Sequence, residues 1–150
     1  MRSSISLWRA LACLSLLLGT SAIGLAWITK PVALAGEPLK AAMHQIDDSM
    51  KTLSKGVTAE NRTAMLDEIG KLETALMTAK ALTPDSAAKI DEKKRPAFVN
   101  DFRKTLIDGM NFALAAEVSI VDAKFKEADT TIRNKLGGLK STGHGKFKTD

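Results

Sequence analysis

The chain has 150 residues, 22 of them basic and 17 acidic, and it is 45% hydrophobic but only 5% aromatic, with two His and one Cys. This length allows one domain of ordinary size and excludes a multidomain enzyme. A single Cys excludes an internal disulfide and a four-thiolate zinc site. The scarcity of aromatic residues argues against a β-sandwich, and the abundance of Ala, Leu, Lys and Met favours helices.

Residues 1–35 have the layout of a secretory signal peptide. Arg2 and Arg9 precede an uncharged apolar run over residues 11–28, and Ala33-Leu34-Ala35 forms a small-x-small cleavage pattern before Gly36. This pattern predicts a periplasmic protein that begins at Gly36 and has no membrane association after cleavage.

Two other interpretations of this segment stay open. The apolar run of 18 residues reaches the lower limit of a membrane span, so an uncleaved anchor is an alternative. Lipid attachment at Cys13 is less favoured, because most of the apolar run would then follow the modified residue. After removal of residues 1–35, 19 basic and 17 acidic residues remain. That excess is too small and too interspersed for a nucleic-acid partner.

Apolar residues in the remaining part, residues 36–150, recur at steps of three and four, which is the signature of helices with one buried face. The first helix opens at Glu37-Pro38 and ends before Gly56, and the second begins near Thr58 as N-cap. Four such stripes are present: Leu39, Met43, Ile46, Met50 and Leu53; Met65, Ile69, Leu72, Leu76 and Ala79; Phe98, Phe102, Leu106, Met110 and Ala113; Phe125, Ile132, Leu136, Leu139 and Phe147.

The third helix is predicted to begin around Pro96 and the fourth between Ser119 and Asp122. Residues 82–95 form the one long connection, which we expect to be solvated. Helices with a single apolar face are not stable alone and must share a core. The sequence therefore predicts an all-α fold, an up-down-up-down antiparallel four-helix bundle that is monomeric.

Sequence motifs of common enzymes are missing from residues 36–150. That part has no Cys, its two His are far apart, and no Gly-rich phosphate loop or Cys-x-x-Cys-His segment occurs. No pair of Glu-x-x-His motifs supports a di-iron centre. We therefore expect a protein that is not an enzyme. Met43 and His144 remain as residues that can ligate iron.

The predicted bundle brings Met43 and His144 to one end. Met43 lies five residues after Pro38, and His144 lies four residues before Lys148, so both are about 6–7.5 Å from their helix ends. A flat macrocycle between the two helices would then receive sulfur on one face and nitrogen on the other, as in Met/His-ligated haem. His44 falls on the opposite, solvated side of the first helix and is expected to be a surface residue.

The order of several short motifs resembles the cytochrome b562 family. These motifs are Leu39-Lys40-Ala41-Ala42-Met43, Thr83-Pro84, Asp101-Phe102-Arg103, Phe125-Lys126-Glu127-Ala128, the spacing from Leu136 to His144, and Lys146-Phe147-Lys148. The resemblance covers nearly all of residues 36–150. It implies one non-covalent haem b per chain, with Met43 and His144 as axial ligands, and a role in electron transfer.

The resemblance also implies a pocket wall around the haem. Phe102 matches a residue that packs against the porphyrin, Leu106 stands where the family has a second aromatic, and Ile46 and Met50 continue the wall. Lys140 replaces an arginine one turn before the histidine. The redox partner is not identified by the sequence.

A haem-free alternative from another class stays open, namely an exported helical bundle that acts as an interaction or metal-buffering module. Four glycines between Gly137 and Gly145 weaken the last helix by up to about 1 kcal/mol each, so haem would have to order that turn.

Overall fold

A computed structural model of the chain describes residues 36–147. The predicted signal peptide, with its alternatives as an anchor or a lipid attachment site at Cys13, lies outside the described residues, as does Lys148. Within residues 36–147 the fold is all-helical and no strand is present. No helix in this range is long and apolar enough to span a membrane.

Four helices make up the described part. They are α1 (Gly36–Leu53), α2 (Arg62–Lys80), α3 (Arg95–Val121) and a fourth helix that runs in three stretches, α4 (Phe125–Thr130), a π-helical segment (Thr131–Leu136) and α5 (Gly137–Phe147). A 3-10 helix, Asp85–Lys89, lies in the connection between α2 and α3. The predicted fold class is confirmed in this respect, as a helical bundle.

The predicted stripes form the core. α1 packs along α2, α2 along α3, and α3 along all three stretches of the fourth helix, which meets α1 at its π-helical segment. Every stripe residue of α2 is buried, as are most of those on the other helices, while Met43, Phe98, Met110 and Phe125 are partly buried against this core. The hydrophobic period therefore identified the inward face of each helix correctly.

Two predicted helix boundaries are wrong. α2 begins at Arg62 and not near Thr58, because Asn61 holds the preceding residues in a turn. The Asn61 side-chain oxygen accepts a hydrogen bond from the Thr58 N–H at 2.8 Å, and its amide group donates one to the Gly56 carbonyl at 2.9 Å. The fourth helix begins at Phe125, because α3 continues to Val121 and the chain then turns.

Backbone conformation fixes the turns at both sites. Gly56 has a φ of 105°, which is the left-handed region that glycine adopts without strain and that ends α1. Ala123 has a φ of 58°, which breaks the helical path between α3 and α4. The first turn of α3 carries Pro96, as predicted.

The long connection is only partly solvated, which corrects the prediction for residues 82–95. Ser86 and Ala87 in its 3-10 helix are 4% and 2% exposed, whereas the charged run at residues 91–95 is exposed as expected. The Arg95 side chain donates hydrogen bonds to the Ala87 and Ile90 carbonyls at 3.0 and 3.2 Å. These bonds fold the connection back over the core.

Candidate functional site

A cavity of about 560 Å³ lies among the helices. This volume falls within the range of about 300–1,000 Å³ that is common for ligand pockets. Side chains within residues 39–50 of α1 and residues 139–147 of α5 line it, and Leu76, Phe102 and Ser86 contribute from α2, α3 and the 3-10 helix. Every helix of the described part thus contributes to this one space.

All seven residues that the sequence singles out as a site line this cavity. They are Met43, Ile46, Met50, Phe102, Leu106, Lys140 and His144. Four of these apolar side chains are between 4% and 7% exposed, so they form a firm wall, while Met43 is only half-buried. The thioether and the imidazole therefore lie on two different helices and share one cavity.

An ion pair joins α1 and α5 beside the imidazole. Lys140 Nζ lies 3.0 Å from Asp47 Oδ1, and His144 Nε2 lies 3.8 Å from the same oxygen. About 40% of the His144 side chain is exposed, so the imidazole stands at the mouth of the cavity and not in its depth. Asp47 and Lys140 each expose about 30% of their side chains.

Two oxygen atoms in the cavity wall are buried without a hydrogen-bond partner. They are Asp47 Oδ1, whose approach to Lys140 lacks hydrogen-bond geometry, and Ser86 Oγ. Buried polar atoms in folded proteins nearly always have a partner in the protein or in ordered water. An acceptor group at the polar edge of a molecule in the cavity would take a hydrogen bond from the Ser86 hydroxyl, whereas the Asp47 carboxylate needs a cation, which Lys140 supplies at 3.0 Å.

A cluster of three phenylalanines closes the end of the cavity beside α5. The Phe147 ring packs edge-on against Phe98 and Phe102, with 5.3 Å between ring centroids in each pair. Such edge-to-face pairs stabilise a core beyond the area they bury. Phe147 lines the cavity but was not among the predicted site residues, although its place in the last apolar stripe was the signal for it.

A second ion pair holds the end of α5 against α3. Lys146 Nζ donates a hydrogen bond to Asp101 Oδ2 at 2.8 Å. This bond, together with the charge of Lys146, holds the pKa of the Asp101 carboxyl below its ordinary value. The Gly-rich helix that carries His144 is thus tied to its neighbour by one ion pair and by the ring of Phe147.

The glycines around the site differ in what surrounds them. A Cβ at Gly109 would stand 3.3 Å from methyl groups of Leu76 and Leu139, so these side chains pack tightly against α3 at this point. A Cβ at Gly143 would make ordinary contact with Thr105 at 3.7 Å, and one at Gly138 or at Gly145 would meet nothing within 4 Å. Close packing therefore explains Gly109 and leaves Gly138 and Gly145 unexplained.

His44 is exposed, as the sequence predicts, but it does not lie opposite the cavity. Its side chain contributes to the cavity lining next to Met43. The expectation of a position on the far side of α1 is therefore wrong, because the cavity mouth is wide enough to include the edge of the helix. Lys40 also lines the mouth and is exposed.

The donor set of this cavity is compatible with haem b. Thioether and imidazole together are an axial pair that haem proteins use for electron transfer. The wall between them is mostly apolar, as a porphyrin requires, and the cations Lys40 and Lys140 line the mouth. Within residues 36–147, no group of three or more His, Cys, Asp or Glu side chains is placed to hold a metal ion between them.

Comparison of the sequence with models of known protein families and with curated proteins finds no match in either. The resemblance to the cytochrome b562 family therefore depends on the short motifs and on the spacing of Met43 and His144.

Proposed function

We propose that the chain is a periplasmic electron carrier of the cytochrome b562 type, with one non-covalent haem b held between Met43 and His144. The observation that carries this proposal is the cavity of about 560 Å³, which both side chains line from different helices. The predicted pair was chosen from sequence spacing alone, and the cavity supports it independently.

We infer the up-down-up-down antiparallel order as part of this proposal. Most of α1 lines the cavity, from Leu39 near its start, together with the second half of α2, the first half of α3 and the end of the fourth helix. Helices that alternate in direction bring these parts to one end. The short connections after α1 and after α3 favour the same order.

Each wall residue has a defined task in this proposal. Met43 and His144 would together hold the haem iron, so that no position would be left for a substrate and we expect electron transfer and no enzymatic catalysis. Ile46, Met50, Phe102 and Leu106 would pack against the macrocycle and exclude water. When bound, haem b supplies an iron that alternates between two oxidation states.

The polar residues at the mouth would orient the cofactor. Lys40 would pair with one of its acidic propionate groups, and Lys140 would bridge the other propionate to Asp47, with which it already forms an ion pair at 3.0 Å. The Ser86 hydroxyl would provide one further polar contact within the wall, since its oxygen has no partner in the described part of the chain. The chain's redox partner would be another protein.

The surroundings of His144 are the observation that supports the haem-free alternative. Its side chain is 40% exposed and stands in a helix with Gly137, Gly138, Gly143 and Gly145. In that alternative the chain is an exported bundle that acts as an interaction or metal-buffering module, and the cavity serves another ligand or none.

A haem titration of the protein purified from the periplasmic fraction separates the two functions. We expect binding of one haem per chain, with the sharp bands of low-spin iron after reduction, because both axial positions are filled. His144→Ala should abolish the low-spin spectrum. Met43→Ala should keep haem with one open position and a lower reduction potential, since thioether ligation raises the potential.

His44→Ala is the matched control for this titration. His44 lines the same mouth and is the next residue to Met43, but we assign it no bond to iron. Its replacement should leave the low-spin spectrum unchanged. A spectrum indistinguishable from that of free haem after titration would refute the haem function and favour the haem-free alternative.

A further inference from the structure

An apolar stripe on the outer face of α3 is exposed to solvent. It consists of Ile107, Leu114, Val118 and Val121, which are 40%, 45%, 59% and 53% exposed. Because successive residues of an α-helix are rotated by 100° about its axis, the four residues project within an arc of about 60°, and they extend over about 21 Å of helix. Contiguous apolar patches of this kind mark interaction surfaces, whereas single exposed apolar residues do not.

The stripe is not an edge of the core. The buried residues of α3, such as Phe102, Ala113 and Ile120, centre about 140° away from Ile107 around the helix. The stripe thus points away from the bundle, and its exposure shows that no other described residue covers it. Ile107, Leu114 and Val121 are spaced by seven, which is the spacing of residues at the seam between two packed helices.

Charges along one edge of the stripe are self-complementary. Lys104 and Asp122 both lie about 60° round the helix from Ile107, so they share that edge. Lys104 lies nine residues before Ala113 and Asp122 lies nine residues after it. Asp122 already meets Lys124 at 3.1 Å, but both side chains are about half exposed and such a surface pair contributes little.

These charges select one arrangement of two helices. Consider two copies of α3 that pack face to face and are related by a twofold axis at right angles to the helices, at the level of Ala113. The two helices are then antiparallel, and the edge that carries Lys104 and Asp122 lies on the same side of the interface in both copies. Lys104 then faces the Asp122 of a second copy, and the apolar residues meet at the centre. Parallel helices would instead bring Lys104 next to the second copy's Arg103, which is a like charge.

We propose that this stripe is a dimer interface, in which α3 packs antiparallel against α3 of a second copy of the chain. The sequence alone predicts a monomer. The stripe could not be recognised from the sequence, because α3 is also apolar on its inward face and the two faces are told apart only once the core is known. The interface lies on the side of α3 away from the cavity and does not depend on the haem function.

Sedimentation equilibrium of the protein purified from the periplasmic fraction tests this interface. We expect a monomer–dimer equilibrium. Leu114→Lys should lower the association constant about 30-fold or more, as for other central interface residues. Met77→Lys is the matched control, because Met77 is 52% exposed but lies on α2, and its replacement should leave the equilibrium unchanged. Circular dichroism should show unchanged helix content in both variants, since both sites are exposed.

Charge reversal tests the antiparallel arrangement. Asp122→Lys should weaken the dimer, and Lys104→Asp in the same chain should restore it, because the pair then has its signs exchanged. A single variant and a double variant that dimerise equally would overturn the arrangement. Sedimentation of the unaltered protein as a monomer at every concentration would overturn the dimer itself, as would binding of a monomer to lipid vesicles through the same stripe.

Discussion

Two regions of the bundle use the same helices in opposite ways. In the first, which we call the dense region, Leu53, Ile69, Ile120 and Ile132 are completely buried and small alanines lie between the helices. In the second, the cavity region, the same helices leave about 560 Å³ open between buried apolar side chains on one side and the exposed residues of the mouth on the other. Protein interiors are close-packed, and open space in a core costs stability. The proposed haem would fill the open region, and the comparison of the two regions is a way to test that proposal.

The largest contrast should come from truncating one apolar side chain in each region. Ile132→Ala should cost about 2–5 kcal/mol, because it creates a cavity where Ile132 is completely buried. Leu39→Ala should cost less than half as much, since this side chain already borders the open space. Chemical denaturation of both variants measures the difference.

Haem should sharpen that comparison. If the cofactor fills the open region, the cost of Leu39→Ala should rise once haem is bound, and the cost of Ile132→Ala should stay the same. Equal costs in the absence of haem would contradict the distinction between the two regions.

Glycine replacements should give an intermediate effect. Gly138→Ala should stabilise the protein by up to about 1 kcal/mol, because alanine favours the helical conformation more than glycine does and the added methyl group meets nothing within 4 Å. Gly109→Ala is the matched comparison, and it should gain less, since its methyl group would crowd Leu76 and Leu139 at 3.3 Å. Thermal unfolding of the two variants compares them directly, and a larger gain at Gly109 would refute this tight packing against α3.

The smallest effect should come from the ion pair that ties α5 to α3. Lys146 holds the pKa of Asp101 below its ordinary value, so the folded state binds fewer protons than the unfolded state in acid. The ion pair therefore contributes its full stabilisation of the folded state at pH values above the pKa that Asp101 has in the unfolded chain. This contribution is lost as the pH falls through the lower pKa that Asp101 has in the folded protein. Asp101→Asn should remove this acid dependence and speed hydrogen exchange in α5 at neutral pH.

Asp48→Asn is the control for the ion-pair prediction. Asp48 also has a lowered pKa, but its partner Lys51 lies on the same helix. Loss of that pair should leave hydrogen exchange in α5 unchanged. Equal effects of the two variants on α5 would show that the Lys146–Asp101 pair does not tie the two helices together.

The inward faces of the helices could be predicted from the sequence, because the direction of a side chain follows from the helical period. Leu39, Ile46 and Met50 illustrate this, since steps of three and four place them on one face and all three are buried. Helix boundaries were harder. The side chain of Asn61 and the positive φ of Ala123 decide where helices begin, and neither leaves a periodic signal.

The site could be predicted in part. Met43 and His144 were found because the distance of a residue from its helix end can be counted along the chain. Asp47 was missed, although it lies one turn after Met43 on nearly the same face. Ser86 could not have been predicted, because its burial depends on how the connection folds back through the hydrogen bonds of Arg95. The π-helical segment before α5 also left no signal in the apolar pattern.

The most direct test of the account is to locate the iron. Diffraction from crystals of the haem-loaded protein, measured at the iron absorption edge, gives an anomalous peak at the position of the metal. The account predicts one peak per chain within the cavity, with Met43 Sδ and a ring nitrogen of His144 as its protein ligands. A peak ligated by His44, a peak outside the cavity, or a crystal without bound iron would contradict it.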